Sequence, residues 1–222
     1  GEQDEKIFFK LDWNINENHR AFASYQYTNG NSLSPTDLGG NRYSYLSHWY
    51  DRSEKLRAYN FQVFSDWTDN FSTEVKLGYK KNITGQNGLA VPQGIGEIQI
   101  DTIDPATGDD GTVYLGIDDS RHSNQLNNKT WQAKIKGDYV VGDHTITGGY
   151  EYDSVDVFNL FIQRSKGIWY FDSIDDFESG APSFFQYQNA ATNNADDGAA
   201  SFKLTTHTAY LQDRWDVSDK LT

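Results

Sequence analysis

The sequence lacks two residue types altogether and is short of basic residues. None of its 222 residues is cysteine, which excludes disulfide bridges and thiol chemistry. Methionine is also missing, even at position 1, so we expect a processed chain or a fragment of a longer one. No run of about 18 apolar residues occurs, which excludes a transmembrane helix. The net charge of −13 argues against nucleic acid as a partner, because nucleic acid requires a basic surface.

The chain is polar and yet unusually aromatic. Aromatic residues make up 15% of it, with 14 tyrosines and 6 tryptophans. This content does not fit a disordered acidic chain. The fold must therefore accommodate many aromatic side chains in a chain that is polar overall.

Alternation of apolar and polar residues predicts about seven β-strands of roughly ten residues and no convincing helix. In one run Val75, Leu77 and Tyr79 alternate with Lys76 and Lys80. The alternation is imperfect in the last run, where Asp213 falls on the apolar side. The strands are expected in 5–28, 57–81, 129–154 and 204–216, antiparallel and in up-and-down order.

Short and long connections alternate along the chain. The short ones are about 14–18, 68–70, 140–143 and 216–220, and the long polar ones are about 29–56, 82–128 and 155–203. Compact soluble domains rarely have such long irregular loops. Outer-membrane β-barrels have short periplasmic turns and long extracellular loops. The pattern therefore predicts an all-β, antiparallel, up-and-down transmembrane barrel segment.

Four large aromatic residues stand just before the short turns, namely Trp13, Trp67, Tyr139 and Trp215. In antiparallel hairpins such positions lie at one height, so we expect a ring of membrane-interface aromatics. A soluble β-sandwich would also alternate apolar with polar residues. The charged faces favour the barrel, because a wide lumen supplies them with water.

Three segments resemble the barrels of TonB-dependent receptors. The most specific is "TAYLQDRWDVSDKLT" at 208–222, which resembles the pattern YxQDxWxxxxxLT of those barrels. "FFKLDWNINENHRAFASYQYT" at 8–28 is similar to paired strands of the Oar-like branch of the family, and "GDYVVGDHTITGGYEYDSVDVFNLFIQ" at 137–163 is similar to another hairpin. The resemblance implies a Gram-negative outer-membrane transporter with a 22-stranded barrel, a plug and a TonB box.

The sequence departs from that family in what it lacks. Neither a plug, nor a TonB box, nor a terminal aromatic strand is recognisable, and the chain stops within a turn at Thr222. Seven strands are also an odd number for a bacterial barrel. We therefore expect residues 1–222 to be an internal piece, about a third, of such a barrel. TonB would act through a plug that is not part of this chain.

Catalysis is not predicted. The five histidines form no metal-binding or catalytic spacing, and no nucleophile elbow occurs. Two acidic stretches, 101–119 and 172–197, hold oxygen ligands suited to Ca²⁺, although no calcium-loop pattern is present and plain solvation of the carboxylates is the favoured explanation. We thus expect no cofactor other than Ca²⁺ at these acidic loops.

A second set of aromatics lies in the third long loop and could contact a ligand. These are Trp169, Tyr170, Phe171, Phe184, Phe185 and Tyr187. Packing of the loop against itself is the simpler alternative. Nothing in loop composition identifies a solute.

The function predicted from these observations is active uptake of a bulky or scarce solute by a TonB-dependent receptor in contact with outer-membrane lipid. Two alternatives stay open. One is an extracellular β-rich binding or adhesion module with aromatic, acidic loops, and the other is a glycan-cleaving all-β enzyme.

Overall fold

The computed structural model describes residues 2–90, 94–218 and 221, which form twelve β-strands and one short α-helix. The strands are β1 (Glu2–Asn14), β2 (His19–Ser34), β3 (Arg42–Ser44), β4 (Tyr50–Thr68), β5 (Phe71–Gly88), β6 (Glu97–Ile103), β7 (Asp110–Gly116), β8 (Ser123–Val141), β9 (His144–Ile162), β10 (Ile168–Phe171), β11 (Phe184–Gln186) and β12 (Ala200–Trp215), and the helix is α1 (Ile174–Ser179). In this described part of the chain, no helix has both the length and the apolar composition that a membrane crossing demands.

Seven long strands form one antiparallel sheet in the order β1-β2-β4-β5-β8-β9-β12, which we call the main sheet. Each strand pairs with the long strands that precede and follow it in the chain, which is an up-and-down arrangement. The predicted all-β antiparallel fold is confirmed. Among the described residues β1 and β12 each pair on one side only, so the main sheet is an open section of a barrel wall.

The strands of the main sheet run for 13 to 19 residues, so the expected length of about ten residues is wrong. The expected strand ends coincide with the ends of the apolar alternation. Backbone pairing continues beyond that point through residues that are polar on both faces, such as Asn29 to Asn31 of β2. The connections are accordingly shorter than the expected 29–56, 82–128 and 155–203, and they comprise residues 35–49, 89–122 and 163–199.

Tight turns close the hairpins at the other end of the main sheet. In the first, Oδ1 of Asn16 accepts hydrogen bonds of 2.9 Å from the backbone N–H groups of Asn18 and His19. In the third, Gly142 and Asp143 connect β8 to β9, and Gly142 has a φ of 57°, which costs glycine nothing because it has no Cβ. The expected fourth turn, 216–220, lies partly outside the described residues.

The three long connections fold together into a second sheet of order β11-β10-β6-β7-β3. The first connection supplies β3, the second supplies β6 and β7, and the third supplies β10 and β11. Two pairings, β3 with β7 and β6 with β10, are parallel and join different connections. We call the described residues of these three connections the cap.

The cap contains most of the buried apolar side chains of the described residues. Ile100, Ile117, Ile168 and Phe171 are each at most 8% exposed. The prediction of irregular loops is wrong at this end of the molecule, because the connections form five short strands and pack around a core of their own. Strand β6 does alternate and pairs with β7 of the same connection, but its other partner, β10, comes from the third connection, and such pairing leaves no sign in the order of the residues.

Candidate functional site

One face of the main sheet is apolar although it is exposed in this chain. Because directly opposed residues share a face, the register places Trp13, Leu77 and Ile135 on this face, which we call the outer face. All three are more than 45% exposed. A soluble sheet would not leave such a surface in water, and lipid is the solvent that suits it.

A row of aromatic side chains crosses the outer face. The residues Phe9, Tyr25, Tyr59, Tyr79 and Trp131 lie directly opposite one another on five adjacent strands. Ring centroids are 4.9 Å apart between Tyr25 and Tyr59, and 4.6 Å apart between Tyr79 and Trp131. We call this set the aromatic row. It lies nearer the cap than the four aromatics before the turns.

The four aromatics before the turns all lie on the outer face, but at offset positions in the register. Following the cross-strand pairs from β1 over β2 and β4 to β5, Trp13 has the same register position as Val75. Tyr139 is opposite Phe71, which lies on β5 four residues nearer the turns than Val75. Trp67 lies at the bulge between Asp66 and Thr68, and Thr68 is opposite Phe71.

Trp215 lies still nearer the turns. It is opposite His144, which is opposite Val141, two residues beyond Tyr139. The offset from β1 to β12 is therefore six residues over six inter-strand steps. Strands that are tilted by 35–45° shift by about one to one and a half residues per strand at constant height. The offset is thus of the size that tilted barrel strands require, and contact of these four side chains with the bilayer boundary stays a prediction.

The opposite face of the main sheet is polar, and several of its charges are paired with one another. Lys134 lies between Glu74, at 4.0 Å, and Glu151, at 3.8 Å. Nε2 of Gln62 donates a hydrogen bond of 2.6 Å to Glu74. We call this the inner face, and its polarity suits the wall of a water-filled lumen.

The cap encloses a cluster of ionisable groups around a fully buried histidine. Nε2 of His48 is 3.0 Å from Oδ2 of Asp37 and 3.9 Å from Oδ2 of Asp118. Glu97, also buried, accepts a hydrogen bond of 2.6 Å from the backbone N–H of Asp119. Burial raises the pKa of Glu97 and of Asp118, because a low dielectric disfavours a carboxylate. These side chains come from two connections, and no sequence spacing could have grouped them.

Two sets of three ligand atoms in this cluster lie within 4.8 Å of one another: Asp37, His48 and Asp118 form one, and Glu97, Asp118 and Asp119 form the other. Three arginines already offset part of the negative charge. Arg42 is 3.3 Å from Asp37, Arg121 is 3.8 Å from Asp118 and Arg164 is 3.4 Å from Asp119. The cluster therefore works first as an ion-pair network that ties the connections together.

A second buried histidine joins the second and third connections. Nε2 of His122 faces the carbonyl oxygen of Ile117 at 2.9 Å, and its Nδ1 accepts a hydrogen bond of 3.2 Å from the backbone N–H of Lys166. One nitrogen donates and the other accepts, which is the pattern of a neutral imidazole. Burial lowers the pKa of His122 and favours this neutral form.

The two acidic stretches singled out in the sequence meet at one cleft of the cap. The cleft has a volume of about 810 Å³ and is lined by Asp101 and Asp110 from the first stretch and by Asp172 and Asp175 from the second. Within the described part of the chain none of these four carboxylates forms an ion pair, and no basic residue lines the cleft. Its chemistry favours a cation.

The six loop aromatics form part of the cap and pack on one another. Trp169 lies 4.3 Å from Phe185, and Tyr170 lies 5.7 Å from Phe184, between ring centroids. Phe171 is only 8% exposed and packs against Phe177, so the expectation that it is an exposed ligand contact is wrong. The remaining five are at least partly exposed, and a role in ligand contact stays a prediction for them.

Comparison with known proteins agrees with this geometry. The family model described as "Outer membrane beta barrel domain" matches residues 1–222. Among solved structures, the outer membrane transporter YddB from Escherichia coli is similar in fold, with a TM-score of 0.64 at 11% sequence identity. The similarity covers 95% of this chain and 25% of that chain, so this chain spans about a quarter of the transporter's length. No curated protein sequence matches significantly.

Proposed function

The chain belongs to the outer membrane β-barrel domain family and lies in the outer membrane, and on that premise we propose that it forms part of a TonB-dependent receptor. The receptor would take up a bulky or scarce solute. The observation that carries this proposal is one sheet with an apolar outer face and a charged inner face, whose three long connections interlock into a cap. The proposal includes no enzymatic activity.

The interlocked cap supports solute recognition rather than simple diffusion. Irregular loops would be free to move independently, whereas the parallel pairs β3–β7 and β6–β10 hold three connections in one arrangement. A preorganised surface loses less conformational entropy when it binds a solute. The partly exposed aromatics Trp169, Phe184 and Tyr187 and the acidic cleft are the surfaces through which we propose that the cap contacts it.

Energy for uptake would come from the inner membrane through TonB. TonB acts on a plug and a TonB box, which other parts of the polypeptide would supply. The inner face of the main sheet would line part of the lumen of the barrel. Calcium at the acidic loops is a further part of the proposal, because four carboxylates without a basic partner line the cleft between them.

Solute depletion tests this function even while the solute is unidentified. The full-length protein is expressed in two otherwise identical Gram-negative strains, one with tonB and one without, together with empty-vector controls. Mass spectrometry then follows the solutes that disappear from a complex growth medium. We expect at least one solute to be depleted only when both proteins are present. Depletion that is the same without tonB would refute TonB-dependent uptake, and no depletion by any strain would favour the adhesion alternative.

A further inference from the structure

Four polar side chains of the buried cluster face one another inside the cap. Nε2 of His48 lies 3.0 Å from Oδ2 of Asp37 and 3.9 Å from Oδ2 of Asp118. The hydroxyl oxygen of Thr36 lies 3.2 Å and 3.4 Å from the same two carboxylate oxygens. We call these four residues the His48 site. Three of them come from the first connection, and Asp118 comes from the second.

The separations within the His48 site are those of ligand atoms around a small divalent cation. Zinc is held at about 2.0–2.2 Å by histidine nitrogen and carboxylate oxygen, so the ligand atoms of a tetrahedral site lie about 3.3–3.6 Å apart. The four separations run from 3.0 to 3.9 Å and bracket that range. Small side-chain rotations would therefore complete the geometry.

Both carboxylates of the site are held from behind, so that their Oδ2 atoms face the histidine. Oδ1 of Asp37 accepts a hydrogen bond of 3.3 Å from Nη1 of Arg42. Oδ1 of Asp118 accepts one of 3.1 Å from the backbone N–H of Ser120, and Arg121 approaches the same oxygen at 3.8 Å. Outer partners of this kind orient the ligands of metal sites. The Oδ2 atoms are thus directed toward a common centre.

Two histidines of the described residues are buried, and they use their nitrogens differently. Both nitrogens of His122 have backbone partners. His48 is fully buried, yet within the described part of the chain its Nδ1 has no hydrogen-bond partner. An imidazole that served only as a hydrogen-bonding group would use both nitrogens, because buried polar atoms are normally paired. The ring of His48 acts through Nε2 alone, which carries at most one hydrogen and faces two carboxylate oxygens.

We propose that Asp37, His48 and Asp118 bind one zinc ion, with the hydroxyl of Thr36 in the fourth position. A cation satisfies the imidazole nitrogen and both carboxylates at once, which a single hydrogen cannot do. The imidazole selects zinc over Ca²⁺ and Mg²⁺, which prefer oxygen ligands. None of these residues lines the acidic cleft, so the two cation sites are separate. The spacing of histidines in the sequence does not reveal the site, because its ligands belong to two connections.

A zinc ion at this place fastens the first connection to the second. The two connections are also paired through β3 and β7, which share three residue pairs. Asp37 and His48 hold the ion from one side and Asp118 holds it from the other, so the ion crosslinks the connections at a further point. Metal that binds only the folded cap adds its binding free energy to the stability of the cap. This inference depends neither on TonB nor on the identity of the solute.

The test uses untagged full-length protein that has been stripped of metal with EDTA, and it measures zinc by calorimetric titration and by elemental analysis. We expect the wild type to hold one zinc ion more than His48→Gln or Asp37→Asn. Loss of an outer hydrogen bond costs a metal site about 10–100-fold in affinity, so loss of a ligand should cost at least about a hundredfold. Asp37→Asn retains the size of a half-buried side chain and reports on zinc even if His48→Gln does not fold.

The matched control is His122→Gln, which removes the other buried imidazole of the cap and should bind zinc like the wild type. Cobalt(II) in place of zinc should give the visible absorption of a tetrahedral site in the wild type and not in His48→Gln or Asp37→Asn. Zinc should also increase the hydrogen-exchange protection of the β3 and β7 amides in the wild type only. Equal zinc binding by the wild type and Asp37→Asn, an equal loss in His122→Gln, or displacement of zinc by an equal concentration of Ca²⁺ would each overturn the proposal.

Discussion

Trp215 stacks on His144 across the β9–β12 pair, with ring centroids 5.3 Å apart and ring planes 13° apart. Trp67 has the same kind of neighbour, since its ring lies 5.0 Å from that of His19 on β2. Nδ1 of His144 also lies 2.8 Å from Asp213, the one acid that breaks the apolar alternation of β12. Each indole is therefore held by a polar ring at the turn end of the outer face, which suits a side chain between lipid and water.

Removing these indoles should weaken the folded protein in a bilayer. We expect Trp67→Ala and Trp215→Ala each to lower the free energy of unfolding of the full-length protein by about 1 kcal/mol or more, because an aromatic contact and an interfacial anchor are lost together. Urea titration in lipid vesicles measures this. Trp169→Ala, which removes an indole that packs on Phe185 in the cap, is the matched control and should lower this free energy less, because an aromatic contact is lost without an interfacial anchor. An equal effect of all three would contradict a membrane role for the first two.

A charge in the middle of the outer face should prevent assembly. Ile135 lies on β8 midway between Tyr139 and Trp131, and Ile135→Arg places a cation where it costs about 2–4 kcal/mol. Heat-modifiable migration of the full-length protein on gels reports assembly. Lys76→Glu, on the inner face, should assemble normally, because water reaches it. Comparable damage from the two substitutions would mean that both faces are buried in protein.

The cap should depend on a close approach of two backbones at Gly96. A Cβ at this position would collide with the carbonyl oxygen of Gly167, which accepts a hydrogen bond of 3.0 Å from the N–H of Glu97. Gly96→Ala should therefore separate β6 from β10 and expose the cap to trypsin while the main sheet still assembles. In Gly30→Ala the new Cβ would meet only ordinary contacts of 3.6 Å, so this control should resist trypsin like the wild type. Resistance of Gly96→Ala would show that the β6–β10 pairing does not hold the cap together.

The main sheet could be predicted from the sequence because its two determinants are local. Alternation identifies each strand, and the short turns fix which strands are neighbours. The offset of Trp13, Tyr139 and Trp215 in the register follows from strand tilt, which alternation alone does not contain. Strand ends are not predictable where both faces become polar, because the rule of one apolar face no longer applies there.

The cap could not be predicted for a different reason. The pairings between its connections join residues far apart in the chain, such as Tyr43 with Val113 and Ile100 with Phe171, and no turn fixes their register. The buried cluster has the same origin, since His48 and Asp118 belong to separate connections. The sequence indicated that 101–119 and 172–197 are acidic, and only the fold brings Asp101 and Asp172 to one cleft.

Calcium should bind at this acidic cleft in the full-length protein. Calorimetric titration with Ca²⁺ is expected to give saturable heat, which Asp101→Asn/Asp172→Asn should abolish, because carboxylate oxygens are the ligands that Ca²⁺ prefers. Asp69→Asn, in a tight turn at the opposite end, is the control and should bind like the wild type. Absence of heat above buffer, or equal heat from the double variant, would end the proposal of a calcium site here.

Acid should loosen the cap through His122. Its pKa is lowered by burial, so the unfolded cap takes up a proton before the folded cap does, and stability falls as the pH drops below about 6.5 until the folded histidine is protonated as well. Glu97 and Asp118 act in the opposite sense, since their raised pKa values add stability as the pH falls through them.

The variant His122→Gln retains both carboxylates and so isolates the contribution of the histidine. Hydrogen exchange of the β6 and β10 amides, compared between the two proteins at each pH, should show protection that decreases below about pH 6.5 in the wild type relative to the variant. Parallel behaviour of the two proteins down to about pH 4 would show that His122 is not kept neutral by the cap.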